Sequence, residues 1–372
     1  MRRGSALALL ISLFFLYLFA FDPWPSAWLG GTMDWREAFF TTRVDWREVG
    51  RLLLDLRVLP FAGALGFLVL SLVVRAWRWQ VIAGPLDRVP LVRMFYLTNV
   101  GYMANNLLPM RLGEVLRAGA LGARSRIPVA GALATIVLER VLDLIGALGV
   151  LVFMLVLQRQ LPAGGIAGSA RDGALALARF QGLAPLLALG AGGMLGLLLA
   201  LVIWRTNWLS ALERLLHRVL PARAAARLHR TVATFSTGLD ILRSPWEALL
   251  LLGQTVLLNS CYLGSLACML HAYGLGRALP LFAQAPLAAT LMLLVFVSLG
   301  YMIPAAPGAF GTVQYFTALA MGLLEAGPEQ ALSFALGNHL ITWLVLTLLG
   351  LASLPLLRLH FSELMQWKER GA

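Results

Sequence analysis

Long uninterrupted runs of apolar residues recur along the chain and set its fold class. They lie at 6–21, 59–82, 128–157, 183–204, 248–272 and 331–357. A helix crosses a hydrocarbon core of roughly 30 Å with about 20 apolar residues, so each run predicts a transmembrane helix. We therefore predict an all-α fold, a polytopic transmembrane helical bundle that forms one integral membrane domain over residues 1–372.

Two further apolar windows, 94–110 and 283–325, are interrupted by proline, glycine and polar residues. Arginines flank the first window on both sides, and arginine biases a loop toward the cytoplasm. A single crossing cannot place both flanks inside, so 94–110 is predicted either to be re-entrant, returning on the side where it entered, or to lie shallow in the membrane. To leave the C-terminus inside, 283–325 must begin and end outside, either as a second re-entrant segment or as a pair of full spans.

Because the two broken segments enter from opposite sides, they favour an inverted repeat with a binding site between its halves. Irregular backbone at membrane depth is tolerated only where it is buried in protein or lines a watery cavity. The two halves share no convincing sequence identity, so the predicted repeat rests on hydropathy and charge alone.

Composition and charge agree with a membrane protein and orient it. Of the 372 residues, 59% are hydrophobic and 13% are charged, and the formal net charge is +12. The arginine-rich loop 205–246 is predicted to lie in the cytoplasm against the anionic leaflet surface, with both chain termini on the same side. The loop 22–58 balances its charges and is predicted to be extracytoplasmic, with an interfacial helix started by Asp45 and Glu48. We expect the bacterial cytoplasmic (inner) membrane.

No motif in the sequence points to a metal or to another cofactor. The sequence has no HExxH or CxxC spacing and no P-loop, so we expect no metal site, no cofactor and no ATP hydrolysis by this chain alone. The leaflet surface explains the basic loop, so no nucleic-acid partner is expected. Arg75 and Arg78 in VVRAWRWQ are predicted to anchor a cytoplasmic helix end by snorkelling, with Arg75 as the one that can reach inward.

The first candidate binding motif is NNLLPMRLGEVLRAG, residues 105–119. A helix that starts after the proline puts its two arginines and its glutamate on one face, and the glycine leaves room for close approach. Two guanidinium forks oriented by a carboxylate suit a phosphate-bearing head group. The alternative is that the arginines anchor at the leaflet surface and the glutamate only pairs with them. The candidate residues are Asn105, Asn106, Pro109, Arg111, Gly113, Glu114 and Arg117.

The second motif is LERVLDL, residues 138–144, which places charged side chains in the middle of a predicted span. Glu139 and Asp143 are four residues apart and share a helix face, and Arg140 can pair with Asp143. Each charge at mid-depth costs on the order of 2.5 to 3.5 kcal/mol, so such residues normally face a polar interior. They predict a functional cavity or, as the alternative, a structural ion-pair network that holds helices together.

The third motif is PAAPGAFGTVQ, residues 304–314. A helix that starts near Gly311 would aim its N–H groups and the positive end of its dipole at the cavity, and Gln314 would add a neutral donor. We therefore include Pro307, Gly308, Gly311 and Gln314 among the candidate binding residues. The alternative is a simple kink or a short outer loop between two spans.

Together the three motifs resemble the transmembrane region of the lysylphosphatidylglycerol synthase family, also called the flippase-like family, over roughly residues 50–357. The family elements appear here as NNLLPMRLGEVLR, LERVLDL and PAAPGAFG. The family often has a glutamate shortly after the last element, where this chain has Gln314, which implies a different lipid. No loop is long enough for the soluble aminoacyl-transferase domain of full-length synthases, so the resemblance implies lipid translocation without aminoacyl transfer.

The resulting hypothesis is a lipid flippase, with no catalytic residue assigned, that carries a lipid or lipid-linked amphiphile with an anionic or phosphate-bearing head group. One alternative is a membrane-embedded transferase that modifies a lipid head group, with Glu139, Asp143 or His339 as its base. Another is a non-catalytic scaffold of a lipid-pathway enzyme. The expected partners are a membrane lipid, such an enzyme, or further copies of this chain in a homo-oligomer.

Overall fold

The computed structural model describes five continuous stretches of the chain, 2–21, 45–108, 111–158, 244–303 and 306–358, and the single positions 193, 214 and 215. Several predicted features therefore lie outside the described residues. They are most of the extracytoplasmic loop 22–58, the predicted span 183–204, nearly all of the basic loop 205–246, Pro109, and the tail from 359.

Every regular element in these described stretches is helical, which confirms the predicted all-α fold. The helices are α1 (Arg2–Phe21), α2 (Trp46–Leu54), α3 (Val58–Ala83), α4 (Leu91–Leu107), α5 (Leu112–Gly122), α6 (Val129–Gln158), α7 (Pro245–Ala272), α8 (Leu275–Ala278), α9 (Pro280–Gln284), α10 (Pro286–Met302), α11 (Thr312–Leu323) and α12 (Pro328–Leu356), with a 3₁₀ turn at Pro307–Ala309. Of the described helices, α3, α7 and α12 are long and apolar enough to cross a membrane.

The short helix α2 begins where the sequence predicts a helix start. The side chain of Asp45 caps it by accepting a hydrogen bond from the backbone N–H of Arg47 at 2.8 Å. Glu48 forms an ion pair with Arg51 at 3.6 Å. The start of α2 therefore has one side-chain cap, from Asp45, and one side-chain ion pair. Val49 is buried against α12, which holds α2 on the bundle.

The ends of α3, α5 and α12 meet at one face of the bundle. The guanidinium of Arg93 donates to the carbonyl of Arg124 at 3.2 Å, and Arg124 donates to the carbonyl of Leu357 at 2.7 Å. The backbone N–H of Arg126 donates to Asp87 at 3.0 Å. We call this the basic face, because Arg88 also lies there. It is the end of the bundle that the positive-inside rule assigns to the cytoplasm.

Helices α4 and α5 form a hairpin that begins and ends at the basic face, as predicted for the re-entrant window 94–110. The helices lie so close that a Cβ atom on Gly113 would run into the backbone of Gly101 and Asn105. Arg111, at the turn, has a φ of 53° in the left-handed region and reverses the chain before α5. Glycine is therefore required in α5 where the two backbones touch.

A second hairpin, α10 and α11, enters from the opposite face. Its glycine contact is Gly300, which lies against the backbone of Thr312 and Val313. The turn contains Gly308 and Gly311 with φ of 70° and 89°, a conformation that glycine adopts readily. The Tyr273 hydroxyl donates to the carbonyl of Ser333 at 3.3 Å, which joins the end of α7 to the start of α12 at this opposite face.

The order and length of the helices show the predicted repeat. Helices α3 to α6 have 26, 17, 11 and 30 residues. Helices α7, α10, α11 and α12 have 28, 17, 12 and 29 residues. The leading helices α3 and α7 pack antiparallel, since Ser265 bonds to Ala64 and Thr255 bonds to Arg78. The second set therefore runs inverted relative to the first.

The two hairpin tips meet inside the bundle. The guanidinium of Arg111, at the first tip, donates to the carbonyl of Tyr301 at the second. The amide of Asn106 donates to the carbonyl of Trp343 and to the hydroxyl of Thr347, both at 3.1 Å. Close packing adds to these hydrogen bonds, because a Cβ atom on Gly350 of α12 would run into Met103 and the backbone of Asn99 on α4.

The close α4–α5 contact predicts that Gly113→Ala destabilises the protein by roughly 1 to 3 kcal/mol, because the added methyl overpacks two backbones. Gly149→Ala is the matched control, since nothing lies within 4 Å of a Cβ at that helical position. Alanine favours a helix over glycine by about 1 kcal/mol, so the control should not lose stability. Thermal unfolding of the detergent-solubilised variants measures both effects, and equal melting temperatures would contradict the packing described.

Candidate functional site

A buried network of arginines and carboxylates lies between α3, α5 and α6. Arg75 and Arg78 are three residues apart on α3, and Glu139 and Asp143 are four residues apart on α6, so each pair projects from one helix face. Arg117 reaches the network from α5. Charged groups this deep in a bundle require partners, because an isolated buried charge is very costly.

Glu139 is the centre of this network and is completely buried. One of its carboxylate oxygens accepts from Arg75 at 2.9 Å, and the other accepts from Arg117 at 2.5 Å. The Arg117 guanidinium also lies over the ring of Trp79, 4.4 Å from the ring centroid. This cation–π contact stabilises a guanidinium that is no longer hydrated.

Asp143 continues the network toward α7. It accepts hydrogen bonds from Arg78 and, at 2.9 Å, from Arg75. The two arginines also bond across to α7, where Arg75 donates to the hydroxyl of Tyr262 at 2.7 Å and Arg78 donates to Thr255 at 3.2 Å. The network therefore joins four helices that come from both repeats.

Arg140 and Glu114 form the exposed rim of the network. Their side chains are 33% and 23% exposed, whereas those of Arg78 and Glu139 are fully buried. The Arg140 Nε lies 3.2 Å from a Glu114 oxygen, and one terminal nitrogen of Arg140 lies 3.1 Å from Asp143. Arg140 thus connects the sealed network to the surface of the site.

A narrow crevice opens beside this rim, between the α4–α5 hairpin and α6. It is lined by Thr98, Gly101, Tyr102, Asn105, Gly113, Glu114, Arg117 and Arg140. The crevice has no room for a water molecule in this conformation. Three buried polar atoms on its walls have no hydrogen-bond partner within the described part of the chain, and they are Thr98 Oγ1, Asn105 Oδ1 and Arg117 Nε. The Arg140 Nε is in ion-pair contact with Glu114 but does not form a well-aligned hydrogen bond with it.

The charges around the crevice do not cancel. The network and its rim contain four guanidiniums, on Arg75, Arg78, Arg117 and Arg140, and three carboxylates, on Glu114, Glu139 and Asp143. The cluster therefore carries a net formal charge of one positive. An anion in the crevice would balance that charge and would accept from the two arginine Nε groups.

The structure separates some of the residues that the first motif was predicted to bring together. Glu114, Arg117, Asn105 and Gly113 line the crevice. Arg111 is exposed and bonds to Tyr301 at the tip junction, because its left-handed backbone turns it away from the face of α5. A binding role for any of these residues stays a prediction.

The residues of the third motif lie at the second hairpin tip, away from the crevice. Gln314 accepts from the backbone N–H of Gly311 at 2.7 Å and so occupies the start of α11. Gly311 also packs against Ser12 of α1, whose hydroxyl accepts from Ala306 at 2.7 Å. Gly308 lies against Trp343. The start of α11 therefore meets α1 in this conformation.

The prediction that Arg75 and Arg78 snorkel to the surface is wrong for Arg78, which is fully buried, while Arg75 reaches inward and is 7% exposed. The sequence feature that indicates their burial is their spacing of three residues, which places both side chains on one face of α3. Tyr262 and Thr255 of α7 gave no signal, because they are uncharged residues in an apolar span. Within the described stretches, no group of His, Cys, Asp or Glu side chains is arranged to hold a metal ion.

Comparison with protein families gives one finding that bears on this site. A family model described as the lysylphosphatidylglycerol synthase TM region matches residues 5–350. The match includes both hairpins and every residue of the arginine–carboxylate network. Comparisons with curated proteins and with solved structures give no match.

The burial of Glu139 predicts that Glu139→Gln destabilises the protein by about 3 to 5 kcal/mol, because it leaves buried guanidiniums without their counter-charge. Glu48→Gln is the control, since it breaks an exposed pair with Arg51 and should cost about 1 kcal/mol or less. Chemical or thermal unfolding in detergent compares the two variants. Similar losses for both would contradict the central role of Glu139 in the network.

Proposed function

This chain belongs to the lysylphosphatidylglycerol synthase transmembrane-region family, and from that premise we propose that it moves a membrane lipid between leaflets. The lipid phosphate binds in the crevice, between Arg117 and Arg140. Helices long enough to cross a bilayer make the chain an integral membrane protein of a lipid head-group family. That the chain moves the lipid between leaflets, and that the crevice binds its phosphate, are our proposals.

The observation that carries the proposal is the set of unpartnered polar atoms in the crevice. Buried polar groups nearly always have hydrogen-bond partners, and those without one indicate a missing ligand, water or ion. Here the Arg117 Nε donor and the Thr98 hydroxyl face the same narrow space, and the Arg140 Nε meets only the partly exposed Glu114 there. The unpaired amide oxygen of Asn105 is an acceptor and would need a donor, such as a hydroxyl of the ligand. A phosphate offers several acceptor oxygens and a negative charge, which fits two guanidiniums and the excess positive charge of the cluster.

Phosphate binding requires an exchange of partners at the rim. Arg140 now pairs with Glu114, and both side chains are partly exposed. A phosphate that reaches Arg140 displaces the Glu114 carboxylate, while Glu139 and Asp143 keep the buried arginines in place. The exchange opens the crevice at its exposed edge and leaves the sealed part of the network intact.

The architecture supports access from both leaflets. One hairpin enters from the basic face and the other from the opposite face, and their tips meet inside the bundle. Broken helices at the interface of inverted repeats are the usual place for a transported substrate. Since the crevice has no room for a water molecule, the head group enters only after the α4–α5 hairpin moves away from α6.

A transferase would need a general base near the reacting group. Glu139 and Asp143 are both held by arginines, and the His339 Nε2 lies 2.8 Å from the carbonyl of Gly308 at the tip junction. No specific observation favours head-group modification, so translocation is the function we propose.

The proposal predicts that Arg140→Gln slows lipid movement between leaflets by about 10-fold or more, because hydrogen bonds to a charged partner contribute roughly 1.5 to 3 kcal/mol. Leaflet-resolved exchange of a fluorescent anionic phospholipid in proteoliposomes measures the rate. Arg88→Gln, an exposed arginine on the basic face outside the crevice, is the control and should exchange at the wild-type rate.

Two results would contradict the proposal. The first is equal exchange by wild-type protein, the Arg140→Gln variant and protein-free vesicles. The second is a new lipid species that purified protein forms in vesicles, which would establish the transferase alternative.

Movement of the first hairpin relative to α12 can be tested with a reversible cross-link. Asn106 of α4 and Thr347 of α12 are in hydrogen-bond contact at 3.1 Å, so Asn106→Cys with Thr347→Cys should form a disulfide on oxidation. The native free thiols are first removed as Cys261→Ala and Cys268→Ala. We expect oxidation to stop lipid exchange and dithiothreitol to restore it. Full exchange by the cross-linked protein would show that the first hairpin need not move away from α12.

A further inference from the structure

The two repeats share a backbone plan but differ in side-chain chemistry. Counted from the start of each helix, α5 matches α11 and α6 matches α12. The first repeat has Glu114, Arg117, Glu139, Arg140 and Asp143 at positions where the second has Gln314, Thr317, Asn338, His339 and Thr342. Each charged side chain of the network therefore has an uncharged or weakly basic hydrogen-bonding counterpart.

The helices of the second hairpin and α12 have no charged side chain near the tip junction. Helices α10 and α11 contain no Asp, Glu, Lys or Arg. In α12 the only such residue is Glu329, at the second position of the helix on the face opposite the basic face. A ligand in this half therefore meets polar and aromatic groups instead of ion pairs.

An aromatic cluster lies where the tip of the second hairpin meets α12. We define it by Tyr301, Phe310, His339 and Trp343. The ring of Phe310 is 4.8 Å from that of His339 and 6.1 Å from that of Trp343, and Tyr301 is 6.1 Å from His339, all measured between centroids. The backbone of Gly308 lies against this cluster, because its carbonyl bonds to His339.

Two polar atoms of the aromatic cluster have no partner. His339 is 1% exposed, and its Nε2 is used by Gly308 while its Nδ1 is unpaired among the described residues. The Trp343 Nε1, which can only donate, is also buried without an acceptor in the described stretches. Buried indole N–H groups usually have an acceptor, so these atoms point to a ligand with hydrogen-bonding oxygens.

Arg111 links the aromatic cluster to the helix that lines the phosphate crevice. It immediately precedes α5, which carries Glu114 and Arg117 into the crevice, and its guanidinium donates to the backbone carbonyl of Tyr301 in the cluster. A head group that occupies both sites would pass along Arg111.

We propose that the aromatic cluster is a second binding site, which takes an uncharged, hydroxyl-bearing part of the lipid head group such as glycerol or a sugar. This proposal rests on the proposed function, in which the crevice holds the phosphate of the same lipid. Hydroxyl groups both accept from Trp343 and bond with the free nitrogen of His339, and the aromatic rings pack against the C–H surface of a polyol.

A cationic head group fits the same cluster poorly. Aromatic rings attract ammonium groups, but an ammonium ion has no acceptor for the Trp343 N–H, and Arg111 places a positive charge beside it. The counterparts of the three network carboxylates are Gln314, Asn338 and Thr342, so these positions supply no counter-ion either. The chemistry of this half therefore excludes choline and aminoacyl head groups as preferred ligands.

The test compares lipids that carry the phosphate alone, the hydroxyl-bearing group alone, both groups together, or a phosphate with a cationic group. Purified full-length protein is equilibrated in mixed micelles with phosphatidic acid, phosphatidylglycerol, glucosyl diacylglycerol or phosphatidylcholine, and retained lipid is measured by native mass spectrometry. We expect phosphatidylglycerol to be retained about 5-fold or more over phosphatidic acid, since it engages both sites. Trp343→Phe and His339→Gln should each lower retention of phosphatidylglycerol and glucosyl diacylglycerol by about 2- to 10-fold, without affecting phosphatidic acid.

Phenylalanine keeps the ring of residue 343 without its N–H, and glutamine can still bond to Gly308, so neither change should unfold the protein. The two variants are independent, and thermal unfolding identifies one that does not fold. Trp77→Phe, on the exposed outside of α3, is the matched tryptophan control and should change no lipid. Equal loss of all lipids in Trp343→Phe would overturn the second site.

The outcomes separate the two proposals. If Arg140→Gln leaves phosphatidic acid retention unchanged, the phosphate crevice is wrong, while loss of glucosyl diacylglycerol in Trp343→Phe still supports the aromatic site. Equal retention of phosphatidylglycerol and phosphatidic acid by the wild type would overturn the aromatic site alone. Stronger retention of phosphatidylcholine than of phosphatidylglycerol would overturn it by showing a cationic preference.

Discussion

The ion pairs around Glu139 are the interaction on which the rest of the structure depends. A buried carboxylate between two guanidiniums cannot lose one partner without leaving a bare charge in an apolar interior. Because those partners come from α3 and α5, the requirement holds the first hairpin against the long helices of the bundle. Arg75 and Arg78 also donate to the hydroxyls of Tyr262 and Thr255 on α7, so hydrogen bonds connect the network to the leading helix of the second repeat.

This network lies beside the first hairpin, and the hydrogen bond from Arg111 to the backbone carbonyl of Tyr301 joins the two hairpin tips. Asn106 bonds instead to Trp343 and Thr347 of α12, and α4 packs closely against α12 at Gly350. Neutral hydrogen bonds contribute roughly 0.5 to 1.5 kcal/mol each, far less than a broken buried ion pair costs. The tip junction is therefore held by weaker polar contacts than the crevice wall, where Arg117 and Arg140 belong to the ion-pair network.

Sequence reasoning predicted the parts of the fold that depend on hydropathy and on charge counts. The apolar runs at 59–82, 248–272 and 331–357 became α3, α7 and α12, since apolar length alone decides whether a helix can cross a bilayer. Arginines on both flanks of 94–110 predicted the returning hairpin. The direction of a side chain around a helix was harder to predict, because it depends on neighbours distant in sequence. Arg78 was therefore assigned to the surface, although its carboxylate partner lies 65 residues away on α6.

The two halves share one backbone arrangement but differ in their side chains, and this difference constrains the function. The glycine contact at Gly113 has a counterpart at Gly300, so both hairpins have the same close packing of two backbones. If the halves bound identical chemistry in alternation, similar side chains would be needed at both tips. The first half instead concentrates every described buried ion pair, and the second presents amide, imidazole and indole groups. A ligand that contacts both halves must therefore itself have two chemically different parts, one that compensates charge and one that only exchanges hydrogen bonds.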